Sequence, residues 1–231
     1  MRFTDRPVRL LVSVALALVA IRLSVVFLDR PLAATTGEIA PWIHHLAEGV
    51  TQLGRSEYYL FPLGGAVLVL GLASGVSKDW RHRVRARAWA WVLGFVWLSV
   101  ALSGLVNDVI KLIAGRPRPN FAAASSAPFT FGYEYQSFPS GHTAVAFALA
   151  LSLALLWPRW RWPLLIFALA VAASRVLLSV HYLADVAGGA LVAWLTVIWL
   201  SGYLADRGLV FRRGPGGHLV PRLPWRRSRR I

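Results

Sequence analysis

The chain is 231 residues long and 57% hydrophobic with a mean hydropathy of +0.56, more apolar side chain than a soluble domain of that size could bury in one core. Its formal net charge is +15, yet the arginines fall in short clusters between apolar runs and in a terminal tail, not along one helical face. That pattern sets nucleic acid aside as a partner and reads as basic loops beside membrane spans, while the lack of cysteine removes any disulfide framework or thiolate metal site.

Six apolar stretches, each near the ~20 residues a bilayer core requires, predict an all-α, polytopic membrane protein with one domain over 1–231. They run over 8–28, 58–76, 88–112, 143–157, 163–178 and 183–204. The first follows Arg2 and Arg6 and precedes Pro31-Leu-Ala-Ala34, an arrangement like a cleaved leader. Its apolar run is longer than a signal core, so it is read as span one, with Arg22 as a polar contact between helices. Residues 38–55, with Trp42, Ile43, Leu46, Val50 and Leu53 at helical spacing, predict an amphipathic helix on the outer surface, His44 and His45 facing solvent. Asp108 sits about one turn before Lys111 at the end of span three. The aromatic segment 120–138 reads either as a lid gripping a lipid chain or as an interfacial belt. Residues 158–161 form a tight interfacial turn, and 206–231 a basic tail. Small residues such as Gly64, Gly65, Gly94, Gly104, Gly188 and Gly189 suit close helix packing in lipid.

Orientation follows from the cations. Arg2, Arg6 and Arg9, the cluster Lys78 to Arg87, Arg159 and Arg161, and the tail from Arg207 onward all fall on one side of six spans. The positive-inside rule makes that side, and both termini, cytoplasmic. Loops 30–57, 113–142 and 179–182 then face outward, the periplasm of a bacterial inner membrane.

Three strings open onto that outer side. The first runs from Lys111 to Pro119, where Pro117 and Pro119 end the helix and stiffen the segment carrying Arg118. A guanidinium offers a planar fork for two phosphate oxygens and an ammonium a point charge. The second is Pro139-Ser140-Gly141-His142 before an apolar helical run, so Ser140 is a candidate N-cap and the amides of Gly141, His142 and Thr143 face an incoming oxyanion. The third places Ser174 and Arg175 before His181 and Asp185, four residues apart on one helical face, an arrangement in which a carboxylate fixes an imidazole tautomer.

Lys-x6-Arg-Pro, Pro-Ser-Gly-His and Ser-Arg-x5-His-x3-Asp, in this order over 111–185, resemble the type 2 phosphatidic acid phosphatase (PAP2) superfamily, which also includes vanadium haloperoxidases. The resemblance implies a PAP2-like helical core and a lipid phosphatase that needs no metal and no cofactor. His181 would be the nucleophile, forming a phosphohistidine, with Asp185 orienting it. His142 would be the general acid and then the base. Lys111, Arg118, Ser140, Gly141 and Arg175 would bind the phosphate oxygens. The family spacing selects Arg118 over Arg116, which is left to headgroups or water.

The expected substrate is a membrane lipid carrying a phosphate or pyrophosphate: undecaprenyl pyrophosphate, phosphatidylglycerol phosphate, phosphatidic acid or a lipid A phosphate. A phosphotransferase would share the intermediate and pass phosphate to a second lipid. A transporter would carry its ionisable residues near the bilayer midplane, whereas here they gather at one end. Six spans argue against a soluble-type vanadate oxidase.

Overall fold

The computed structural model describes residues 5–36, 39–122 and 124–223. The tail arginines 226, 227, 229 and 230, Glu38 and Arg2 lie outside the described residues.

Helix α1, Asp5–Leu23, continues through a π-helical turn, Ser24–Leu28, into α2, Asp29–Thr35. Next come α3, Pro41–Gln52, and α4, Glu57–Val76. Helix α5, Trp80–Ala114, is followed by a long loop, then α6, Gly141–Leu156; α7, Arg161–Leu177; and α8, Leu183–Asp206. Among the described residues, five helical stretches are long and apolar enough to cross a membrane. The fourth expected span corresponds to α6, which is apolar but only 16 residues long.

The apolar surface is distributed as lipid solvent requires. Leu11 and Leu16 on α1, Phe61, Leu68 and Leu72 on α4, and Ile166 and Leu169 on α7 are all exposed. The packed interior lies around α6, which touches α5, α7 and α8. Ala144, Ala146, Ala148 and Ala150 are fully buried there, so small side chains on α6 let its neighbours approach closely. A second apolar layer joins Val92, Phe95 and Val96 of α5 to Val197, Leu200 and Leu204 of α8.

Three expectations need correction. The basic segment after Lys78, read as a loop, is helical from Trp80, because the Asp79 carboxylate caps it by accepting from the Arg81 amide at 2.8 Å and because Arg and Ala are good helix formers. At 35 residues α5 is ~52 Å long, so its arginine-rich first turns extend past an apolar slab of ~30 Å. Arg22 is exposed on α1 and not packed between helices. The start of the basic tail is folded: β1, Phe211–Arg213, pairs antiparallel with β2, Leu219–Pro221. The Phe211 ring meets Phe95 edge-on at 5.0 Å, which pins this hairpin to the bundle.

The fold brings four helix ends to one place: the C-termini of α5 and α7 and the N-termini of α6 and α8. Gly189 is what lets α8 lie against the start of α6, since a Cβ there would sit 2.4 Å from the Ser140 carbonyl oxygen and 3.2 Å from the Ala144 amide. The obstacle is backbone, which cannot rotate away. Gly189→Ala is expected to cost ~1–3 kcal/mol or more and to displace the Ser140–His142 turn. A lowered thermal midpoint together with reduced activity would register it; wild-type values for both would show that the two helices can part freely.

Candidate active site

The candidate side chains sit at helix ends or in the loops that join them. Helix α5 carries Lys111 in its last turn and stops at Gly115, which adopts a left-handed conformation with φ 51°. Lys111 leans toward α6: a Cβ on Gly141 would lie 3.2 Å from its Nζ. Asp108 Oδ1 is 3.3 Å from the same ammonium but is itself largely exposed. Asp108 is thus a partner for Lys111 at the rim, not a buried contact between helices.

Arg118 is held by backbone. Its Nε donates to the Tyr133 carbonyl at 2.9 Å, NH1 to Val180 at 3.0 Å and NH2 to Gln136 at 3.2 Å. The Tyr133 ring lies 3.9 Å from the guanidinium carbon. The segment 120–138 therefore does more than either reading from the sequence allowed. Phe129 and Phe131 are exposed at its tip, but its carbonyls form the socket that aims Arg118 at His181, with NH1 3.4 Å from Nε2.

His181 is 3% exposed, in the turn between α7 and α8. Its Nδ1 lies 2.8 Å from the Ser137 carbonyl oxygen. A carbonyl can only accept, so Nδ1 carries the proton and Nε2 presents its lone pair toward Arg118. Asp185 is close to the same nitrogen, Oδ2 to Nδ1 being 3.6 Å, but its shorter contacts go elsewhere. Oδ2 accepts from the Ser137 hydroxyl at 2.5 Å and the Tyr182 amide at 2.9 Å, while Oδ1 meets Arg116 at 2.5 Å. Ser137 thus links the two: its carbonyl holds the imidazole and its hydroxyl holds the carboxylate. Burial pushes the His181 imidazole down to about 4, with Arg118 and Arg175 acting in the same direction and Asp185 opposing. The ring is neutral at physiological pH.

Ser140 occupies the N-cap position of α6, yet its hydroxyl does not cap a backbone amide. Instead it accepts from the Thr143 hydroxyl at 3.1 Å, while the Ser140 amide donates to the Asp185 carbonyl at 2.9 Å and ties α6 to α8. The Asn107 amide fixes the preceding residue through the Pro139 carbonyl at 3.2 Å. His142 faces a cavity of about 470 Å³ that is also lined by Lys111, Gly141 and Arg175. It is within electrostatic reach of Arg175, His181, Lys111 and Glu57. Arg175 is mostly buried and donates through NH1 to Thr51 Oγ1 at 2.6 Å, while its Nε has no hydrogen-bond partner among the described residues. Thr51 and Ala47 are the buried face of α3, which packs on α7 while Trp42 and Leu46 stay exposed. His44 and His45 are exposed as expected, beside Glu48.

Arg116 departs most from expectation. It is engaged by two carboxylates, bridging Asp185 and Asp29, with NH2 2.7 Å from Asp29 Oδ2. Asp29, Ser137 and Thr51 carry no signal in the sequence that marks them for the site. Arg116 carries one, as the rival to Arg118 in one string. Opening this ionic bridge at one end would leave an unpaired buried charge, at a cost of about 3–5 kcal/mol.

What the arrangement can do is specific. A neutral buried imidazole with a fixed tautomer lies within electrostatic reach of Arg118, Arg175 and a second imidazole, while Lys111, Gly141, His142 and Arg175 line the cavity, a lining that does not include His181 or Arg118. Such a set can bind a dianion and exchange it between nucleophile and leaving group. Comparison with known proteins agrees. The family model described as the PAP2 superfamily matches residues 89–208. The chain is 31% identical over 218 residues to the lipid A 1-phosphatase of Rhizobium johnstonii, covering 91% of this chain and 87% of that protein. It is 28% identical to phosphatidylglycerophosphatase B of Bacillus subtilis, over 71% of this chain and 76% of that one. Its backbone is similar, at a TM-score of 0.56 and 26% identity, to the crystal structure of a transmembrane PAP2-type phosphatidylglycerolphosphate phosphatase from Bacillus subtilis, covering 88% of this chain and 96% of that one.

Proposed function

Since the chain belongs to the PAP2 superfamily and is an integral-membrane lipid phosphatase, we propose that it hydrolyses the phosphate of a lipid A-type glycolipid at the outer face of a bacterial inner membrane, through a phosphohistidine at His181. The observation that carries the chemistry is the fixed tautomer of His181, whose Nδ1 proton is held by the Ser137 carbonyl at 2.8 Å. Support for the substrate class comes from the lipid A 1-phosphatase relative, whose likeness extends over 91% of this chain.

In the first step Nε2 of His181 attacks phosphorus, forming the P–N bond as the bond to the leaving oxygen breaks. His142 gives that oxygen its proton. The imidazole becomes cationic, and Asp185, 3.6 Å from Nδ1, offsets the charge. Lys111, Arg118, Arg175 and the Ser140–Gly141 turn hold the non-bridging oxygens as charge redistributes. In the second step His142, now a base, takes a proton from water. The water oxygen attacks phosphorus, the P–N bond breaks and free phosphate leaves.

The outer-face assignment rests on charge. The site lies at the end of the bundle opposite Arg81, Arg83, Arg85, Arg87, Arg159 and Arg161, the end that the positive-inside rule assigns to the cytoplasm.

The test is phosphate release by the purified chain against a panel of lipid A, phosphatidylglycerol phosphate, phosphatidic acid and undecaprenyl pyrophosphate. Turnover is expected to be fastest on lipid A; a preference for another lipid would reassign the substrate and leave the reaction intact. A lipid product gaining phosphate in place of free phosphate would make the enzyme a phosphotransferase. Because Lys111, Arg118 and Arg175 supply the positive charge, EDTA is expected to leave the rate within about twofold of its control. Loss of activity with the chelator, restored by one divalent metal, would overturn the protein-cation mechanism.

A further inference from the structure

Asp29 lies some 150 residues from the His181 turn in sequence, yet it is 1% exposed and each of its oxygens has a partner in or beside that region. Its Oδ1 accepts from the Ala184 amide at 3.0 Å and from the Ser24 hydroxyl at 3.0 Å. Its Oδ2 accepts from Arg116, whose other terminal nitrogen reaches Asp185. The π-helical turn Ser24–Leu28 precedes Asp29 directly, and one extra residue in that turn aligns Ser24 with the carboxylate. The guanidinium also lies 4.3 Å from the Tyr182 ring centroid, so the ring fixes its plane.

Resting on the phosphatase reading, we propose that Asp29 and Arg116 are positioning residues for His181, setting the orientation of Asp185 and the share of its negative charge that the imidazole feels. One cation stands between two carboxylates. Asp29 draws part of the Arg116 charge to itself, which leaves Asp185 with negative charge to offset the cationic imidazole of the intermediate. Without Asp29, Arg116 would be directed at Asp185 alone and would neutralise it. Without Arg116, Asp185 would be free of its clamp and its full charge would act on His181. The two losses therefore push His181 in opposite directions, which a merely structural pair would not do. The other charged or titratable groups facing His181 are Arg118 from the loop, Arg175 from α7 and His142 from α6, and neither loss removes any of them.

The test uses the full chain in detergent micelles, with Asp29→Asn and Arg116→Gln, and two readouts. The first is the ring-nitrogen chemical shift of His181 across pH in histidine-labelled protein. Arg116→Gln is expected to raise the His181 titration by about one unit and Asp29→Asn to lower it. The second is steady-state release of phosphate from a short-chain phosphatidic acid. Asp29→Asn is expected to lower kcat by about tenfold with KM within about twofold, because the phosphate clamp is untouched.

Should Arg116→Gln fail to fold, Arg116→Lys keeps the charge without the planar fork that spans both carboxylates. Its kcat is expected to fall several-fold with the titration close to wild type, and wild-type kcat would overturn the proposal. Titrations that move together, or not at all, would also overturn it. A wild-type protein that releases no phosphate from any lipid, yet shows the opposed shifts, would reject the phosphatase reading and keep the positioning pair.

Discussion

Replacing His181 by alanine is expected to abolish phosphate release, lowering kcat by about 10⁴-fold or more, because in the proposed mechanism the reaction then loses its nucleophile. The other imidazole, His142, lines the cavity from α6, and among the described residues no carbonyl is bonded to its ring as Ser137's is to His181. The substitution leaves the Ser137 carbonyl without its donor, at a cost of ~1–3 kcal/mol, so the variant should remain folded with a modestly lower thermal midpoint. Circular dichroism and the phosphate assay on one preparation separate the two effects. Near-normal turnover in a folded variant would remove the phosphohistidine from the mechanism. A pH consequence accompanies it. An unfolded histidine titrates near 6.5, whereas the folded one is held at about 4. The unfolded chain thus binds the extra proton first, and stability contributed by His181 is lost as pH falls through that window. Activity that depends on the neutral ring persists to the lower value. At pH about 6 its ring-nitrogen signals should still be those of a neutral imidazole; a half-protonated ring there would contradict the buried environment.

His142→Ala is expected to slow hydrolysis of a lipid phosphate by about 10²–10⁴-fold, and the loss should depend on the leaving group. An alkoxide needs a proton to depart, so the first step fails without an acid. A nitrophenolate does not, so with nitrophenyl phosphate the first step survives while water activation fails. The variant should then release one burst of nitrophenol and accumulate phosphorylated protein. An equal loss on both substrates, with no burst, would show that His142 serves binding or packing instead of proton transfer. The Gly54 turn packs directly on His142, since a Cβ on Gly54 would lie 2.8 Å from the His142 Cβ. Thermal stability should therefore be followed alongside activity.

The surroundings of these two imidazoles explain how much of the site was legible beforehand. Lys111, Arg118, His142, Arg175 and His181 sit in local strings whose residue types announce phosphate chemistry, and each string ends an apolar run. Periodicity and hydropathy located those runs to within a few residues, apart from the first, whose helix continues to Thr35, and α5, where the arginines that mark a loop by charge are also good helix formers capped by Asp79. Ser137 escaped because half of its contribution is a backbone carbonyl, which every residue possesses. The socket around Arg118 escaped for the same reason: Tyr133, Gln136 and Val180 act through main-chain oxygens.

What the sequence determined by itself, then, is the class of solvent, the approximate spans and the local strings whose residue types suit phosphate chemistry. All of these follow from local composition, because hydropathy and charge act on each segment separately. Only the tertiary structure decided which carboxylate accompanies which cation. Arg116 and Arg118 are near neighbours in one string, yet one is buried between Asp29 and Asp185 and the other is aimed at His181. A charge in a low-dielectric interior must find its partner through space, and here that partner came from α2, a segment whose sequence gave no sign of it.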